Sequence, residues 1–197
     1  MQTHPYFMII SSFIKDYLQK QQDTIEKLPH SKIKDLVELY QKAWREDRQI
    51  FACGNGGSAS NASHFITDLS KGASDVLKKR FRGMSLNDNV SWMTALGNDY
   101  AYEDIYVRQL MNFAQKGDIF MVLSVSGNSP NVVKAVKWAK ENGVYTVALV
   151  GGKKGQLADL SDFTIVVDDA HYGRAEDAQM MICHIICYYF IEIENAV

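Results

Sequence analysis

Apolar residues recur along this chain in two rhythms, one helical and one continuous. Phe13, Ile14, Tyr17, Leu18 and Ile25 fall at helical spacing, and Pro29 breaks the run. Ser31 stands where an N-cap would open a second helix, with Ile33, Leu36, Val37, Tyr40 and Trp44 on one face. Short apolar runs follow at Gln49 to Cys53, Arg82 to Leu86, Asp118 to Ser124, Val144 to Val150 and Phe163 to Val167. Helical spacing returns between them. It marks Ala62, Phe65, Ile66 and Leu69, then segments near Val90 to Leu96 and Glu103 to Ala114, then Val132, Val133, Val136 and Trp138. A last helix is expected from about Arg174 to Glu194. Strands alternating with helices predict an α/β fold: a five-stranded parallel sheet flanked by helices, preceded by two N-terminal helices. With no repeat, low-complexity tract or linker, residues 1–197 read as a single domain, helical over about 8–46 and α/β over about 49–197.

Ligands of parallel sheets sit at the carboxyl ends of the strands. Two of those ends here carry small polar residues that lead into helices. The first is Gly54-Asn55-Gly56-Gly57-Ser58, where glycines allow a tight turn and the helix amino end attracts an anion. The second is Ser124-Val125-Ser126-Gly127-Asn128-Ser129, where hydroxyls and backbone amides can surround a phosphate without any lysine. Ser129 followed by Pro130 also fits a plain helix start. The first loop satisfies G-x-G-x-x-A, so dinucleotide binding is weighed. Its acidic ribose partner belongs about 20 residues on. Asp88 comes 34 residues after Gly54, too late for that role. No G-K-[ST] is present, which argues against a P-loop ATPase.

Composition narrows the partners. Hydrophobic content of 47% and charged content of 22% are those of a globular protein. A net charge of -2 argues against a direct nucleic-acid grip, which needs a basic face, but leaves room for a small anion. No signal peptide and no apolar run near the ~18 residues of a membrane span are visible. Cys53, Cys183 and Cys187 form no C-x-x-C pair. They read as small core residues in a reducing, cytoplasmic setting.

Candidate chemistry lies on two helices. His64 and Asp68 are one turn apart and share a face, fit for a metal or for proton transfer, or for an ordinary ion pair. Glu176, Gln179 and His184 interrupt the apolar last helix. Glu176 and His184 are eight residues apart, roughly on one face. A histidine there is also compatible with a hydrogen-bonded core residue.

Four stretches in order, GNGGSASNASHF (Gly54 to Phe65), GNDYAYEDIY (Gly97 to Tyr106), SVSGNS (Ser124 to Ser129) and HYGRAEDAQMMICH (His171 to His184), resemble the sugar isomerase (SIS) family and, within it, the phosphoheptose isomerases. The resemblance runs over nearly the whole chain. It implies a homotetramer with sites at subunit interfaces, acting on a phosphorylated sugar: sedoheptulose 7-phosphate is converted to D-glycero-D-manno-heptose 7-phosphate, an early step towards bacterial surface heptose. By motif it places Asn55, Gly56, Gly57, Ser58, Asn98, Asp99, Ser124, Val125, Ser126, Ser129 and Glu176 at the substrate. It puts zinc, or another divalent ion, at His64, Asp68, Glu176 and His184. Asp68 becomes the base and His184 the acid or second base of an enediol mechanism. An ordinary carboxylate, with a pKa near ~4, is a weak base for such a carbon, so burial or a metal has to assist. The family usually has Glu at position 68, Gln at 176 and His at 179, so Asp68, Glu176 and Gln179 are departures. Two other readings stay open. One is a non-catalytic SIS protein that binds the bacterial replication initiator; the other is a sugar-phosphate sensor.

Overall fold

The computed structural model describes the backbone of residues 5–194 and side chains from residue 9 onward. Helices α1 (Pro5–Glu26) and α2 (His30–Arg45) precede β1 (Gln49–Gly54). Then follow α3 (Gly57–Thr67), a π-helical turn (Asp68–Ala73), a short turn α4 (Ser74–Val76) and β2 (Arg82–Ser85). After α5 (Val90–Asp99), a 3₁₀ turn (Tyr102–Asp104) and α6 (Val107–Phe113) come β3 (Ile119–Ser124) and α7 (Pro130–Glu141). The chain continues with β4 (Tyr145–Val150), α8 (Gly155–Leu160), β5 (Phe163–Val166), α9 (Tyr172–Tyr188) and a π-helical turn (Tyr189–Ile193).

The five strands lie in the order β2-β1-β3-β4-β5, all parallel. Strand periodicity splits the core in two. Ile50, Ala52, Ile119, Met121, Leu123, Val147, Leu149 and Ile165 face α2, α3 and α9. Phe51, Cys53, Phe120, Val122, Ala148 and Val150 face the side packed by Leu96, Ile105, Leu110, Val132, Val136 and Leu157. Burying each leucine-sized side chain contributes about 1.5–3 kcal/mol, so both faces resist opening. The three cysteines are free and buried, as small core residues are. Among the described residues, no helix is long and apolar enough to cross a membrane.

Several local expectations are corrected. Ser31 is not the cap of α2: the helix begins at His30, and Pro29 before it provides no side-chain cap. Proline's fixed φ sets the turn without one. The segment Glu103 to Ala114 is not one helix but a 3₁₀ turn and then α6. Helix α9 starts at Tyr172, ahead of Arg174, because the His171 ring accepts from the Arg174 N–H at 3.4 Å. Ser129 stands at the N-cap of α7, yet its hydroxyl makes no capping bond. Helix α8 had no periodic signal strong enough to predict it.

Candidate functional site

Strand β1 is followed by α3 on one face of the sheet, and β3 by α7 on the other. The two chain paths therefore diverge between neighbouring strands, and a crevice opens at their carboxyl ends. The two polar loops meet there. Asn55, Ser58, Ser124, Val125, Ser126, Ser129, Tyr172 and Glu176 line a cavity of about 70 Å³. A larger cleft of about 630 Å³, lined by Ala43, Gly117, Ile119 and Tyr145 among others, lies at the amino ends of the strands, away from both loops.

Each loop is held from behind. Asn87 treats Gly54 as a strand partner would: its Oδ1 accepts from the Gly54 N–H at 3.2 Å, and its Nδ2 donates to the Gly54 carbonyl at 2.9 Å. The Tyr106 hydroxyl donates to the same carbonyl and lies 3.1 Å from Asn55 Oδ1. Burial pushes the Tyr106 phenol well above its ordinary value, so the hydroxyl keeps its proton. Asn55 and Asn131 exchange two amide hydrogen bonds, at 2.9 and 2.8 Å. Asn131 is only 1% exposed, so this pair fixes the loop after β1 to the first turn of α7. Asn87, Tyr106 and Asn131 escaped the sequence reading because their partners are remote in sequence; only Tyr106 fell within a matched stretch.

In the second loop the Ser124 Oγ accepts from the Gly127 N–H at 3.2 Å, and the Ser126 Oγ accepts from the Asn128 N–H at 3.3 Å. Gly127 has a φ of +65°, and a Cβ there would collide with the Lys154 carbonyl. The close approach of the β4–α8 connection thus requires glycine at that position.

A second cluster lies along the seam of α3 and α9. The Asp68 Oδ2 is 3.2 Å from His64 Nε2 and 3.6 Å from His184 Nε2. The two imidazoles meet edge to face with centroids 5.1 Å apart. One ligand atom from each of the three lies within 4.8 Å of the others. Asp68 opens the π-helical turn after α3, a local widening common at functional sites. Two imidazoles and one carboxylate, all partly open to solvent, fit a divalent ion that keeps a free coordination position. The same three groups suit proton transfer.

Glu176 does not join this cluster. Eight residues of α9, a rise of about 12 Å, separate it from His184. Its Oε1 instead accepts from Ser58 Oγ at 3.3 Å in the serine-lined cavity. Nor does it pair with Arg174, whose guanidinium binds Asp169 at 2.6 and 3.0 Å. Gln179 is buried and donates to the Leu149 carbonyl at 2.9 Å, tying α9 to β4. Asn98 and Asp99 stand exposed at the end of α5, hydrogen-bonded to each other at 2.9 Å, outside the cavity wall. Gly56 and Gly57 form the turn into α3.

The family model "SIS domain" matches residues 13–151. A phosphoheptose isomerase of Sulfurimonas denitrificans is 38% identical over 157 residues, 80% of each chain. One of Clostridium acetobutylicum is 36% identical over 79% of each chain. Among solved structures, a phosphoheptose isomerase from Neisseria gonorrhoeae superposes with a TM-score of 0.86 at 26% identity, covering 93% of this chain and all of the other. One from Francisella tularensis shares the fold at a TM-score of 0.86 and 24% identity, covering 96% of this chain and 100% of that one. The serine-lined crevice, the His–Asp–His seam and these likenesses lead to one conclusion: the chain belongs to the SIS domain family, among the phosphoheptose isomerases.

Proposed function

We propose that this protein interconverts sedoheptulose 7-phosphate and D-glycero-D-manno-heptose 7-phosphate through an enediol. The observation that carries the reading is the placement of two chemistries along one seam. The serine cavity lies at the amino end of α3, and the His64–Asp68–His184 cluster lies at its carboxyl end.

Ser124, Ser126 and Ser129, with the amides at the start of α3, hold the phosphoryl group. Asn55, positioned by Asn131 and Tyr106, meets the sugar chain. Asp68 takes a proton from C1 of the ketose while His184 delivers one to the C2 carbonyl oxygen, which yields the enediol. Return of a proton to C2 and loss of the O1 proton give the aldose. Asp68 and His184 lie 3.6 Å apart, close enough to serve adjacent atoms of one substrate. A divalent ion, zinc by its fit to imidazole and carboxylate, would be held by His64, Asp68 and His184 and would supply polarisation of the carbonyl when bound.

A homotetramer, a cytoplasmic setting and a role in surface-heptose synthesis complete the reading, with residues 1–197 acting as one SIS domain. The exposed apolar stripe of α1 supports assembly: Ile9, Phe13 and Leu18 are 63%, 64% and 62% exposed. The deciding experiment incubates purified protein with sedoheptulose 7-phosphate, with and without zinc, and follows the aldose by NMR. Binding without turnover under both conditions refutes the isomerase and favours a sensor.

A further inference from the structure

Asn55 lines the crevice with most of its hydrogen bonds already assigned. Its Nδ2 donates to Asn131 Oδ1 at 2.9 Å, and its Oδ1 accepts from Asn131 Nδ2 at 2.8 Å. The Val132 N–H donates to the same Asn131 Oδ1 at 3.0 Å, which fixes which way round Asn131, and with it Asn55, stands. An amide oxygen has two lone pairs, so Asn55 Oδ1 has room for one more donor. Two phenols stand near it. Tyr106 spends its single proton on the Gly54 carbonyl and accepts from Asn87 Nδ2 at 2.8 Å. The remaining donor is Tyr102, whose hydroxyl lies 3.3 Å from Asn55 Oδ1. Tyr102 is 61% exposed, so its ring is no part of the core. It opens the 3₁₀ turn that Asp104 ties to α7 through Lys134 Nζ at 3.1 Å.

We propose that Tyr102 is a specificity-determining residue: its phenol oxygen and the free N–H of Asn55 together read one hydroxyl of the sugar chain. The proposal rests on the crevice taking a sugar phosphate. With its proton on Asn55 Oδ1, the Tyr102 oxygen still has lone pairs, so at the exposed lip it acts as an acceptor. The bond it donates also polarises the phenol and makes that oxygen a better acceptor. Among the described residues the second N–H of Asn55 Nδ2 has no partner, so a donor stands beside the acceptor. A donor next to an acceptor complements a hydroxyl, which both accepts and donates. A ketone oxygen only accepts, and would leave the Tyr102 oxygen unmatched. A site built to bond a hydroxyl discriminates against ligands that lack it, because its own polar groups are then left unpaired.

The test titrates the full-length protein by calorimetry with sedoheptulose 7-phosphate and with inorganic phosphate. It compares wild type, Tyr102→Phe, Asn55→Ala and the double variant, with thermal melts to check folding. Tyr102→Phe keeps the exposed ring and removes only the hydroxyl. It is expected to bind the sugar phosphate about fivefold more weakly, with phosphate affinity and melting temperature unchanged. If one hydroxyl is read by both residues, Tyr102→Phe should add at most about twofold to the loss caused by Asn55→Ala. Wild-type affinity in Tyr102→Phe overturns the proposal. So does an equal fall in phosphate affinity, which would mark a general disturbance of the crevice. A full fivefold loss repeated in the Asn55→Ala background overturns the shared hydroxyl. Sugar phosphate bound with the expected coupling but not turned over refutes the isomerase and leaves the role of Tyr102 standing. No binding of sugar phosphate by wild type overturns both.

Discussion

Asp68 illustrates how much one side chain depends on its local backbone. It is one methylene shorter than the glutamate usual in the family, yet it stands within 3.2 and 3.6 Å of two imidazoles, at the start of a π-helical turn. If Asp68 and His184 carry the proton, Asp68→Asn and His184→Ala should each lower kcat by at least about 10²-fold. Ser126→Ala should instead act on KM. Steady-state kinetics with sedoheptulose 7-phosphate separates the two patterns. His64→Ala and His184→Ala should also lose bound zinc under zinc-replete conditions, as measured by elemental analysis. Equal, trace metal in wild type and both variants would remove the metal from the mechanism and leave Asp68 and His184 to work alone.

At the scale of elements, two anchors hold the site together. Asn131 at the start of α7 and Tyr106 just before α6 brace the loop after β1. Asn131→Ala leaves the Asn55 amide without its reciprocal partner and is expected to raise KM by about tenfold, because a loosened polar group must be reordered on binding. Tyr106→Phe removes a buried donor and should lower stability by about 1 kcal/mol in urea unfolding. The second anchor is Asp169, which joins α1 to the start of α9. It accepts from Thr24 at 2.8 Å, from the His171 N–H at 2.7 Å and from Arg174 at 2.6 and 3.0 Å. Burial alone would raise the Asp169 carboxyl, but the Arg174 guanidinium and these donors bring it down to about 2. A lowered folded-state value stabilises the protein above the ordinary carboxylate range and loses that contribution as pH falls towards 2. Asp169→Asn should therefore be less stable by about 2 kcal/mol near neutral pH, and the gap to wild type should close between pH 4 and 2. Denaturant curves across that range provide the check.

On the scale of the whole molecule, the apolar stripe of α1 is the feature that one chain leaves uncovered. Ile10 and Ile14 are exposed beside Ile9, Phe13 and Leu18, while Tyr17 and Gln21 turn inward to the start of α9. An exposed apolar surface of that kind supports the proposed assembly. Light scattering at micromolar concentration is expected to give the mass of four chains. Phe13→Glu with Leu18→Glu is expected to shift it to smaller species and to reduce activity together with assembly. A monomeric wild type would defeat both expectations.

The layers of this protein were legible in its sequence because they depend on local rhythm. Unbroken apolar strands such as Ile119 to Leu123 have no polar face to show water, so a sheet covered on both sides follows from the sequence alone. The two glycine and serine loops were legible for the same reason, since tight turns and helix starts restrict residue type at fixed offsets. The missed features depend on non-local geometry. Ser31 looks like a cap, but capping is decided by where the backbone turns, and Pro29 turns it two residues earlier. Glu176 and His184 share a helix face in projection, but the rise along the axis sends one to the serine cavity and the other to His64 and Asp68. Asn87, Asn131 and Asp169 carry no periodic or motif signal. The bonds of Asn87 to Gly54, Asn131 to Asn55 and Asp169 to Thr24 join residues far apart in sequence, and such contacts are decided only when the fold brings those segments together.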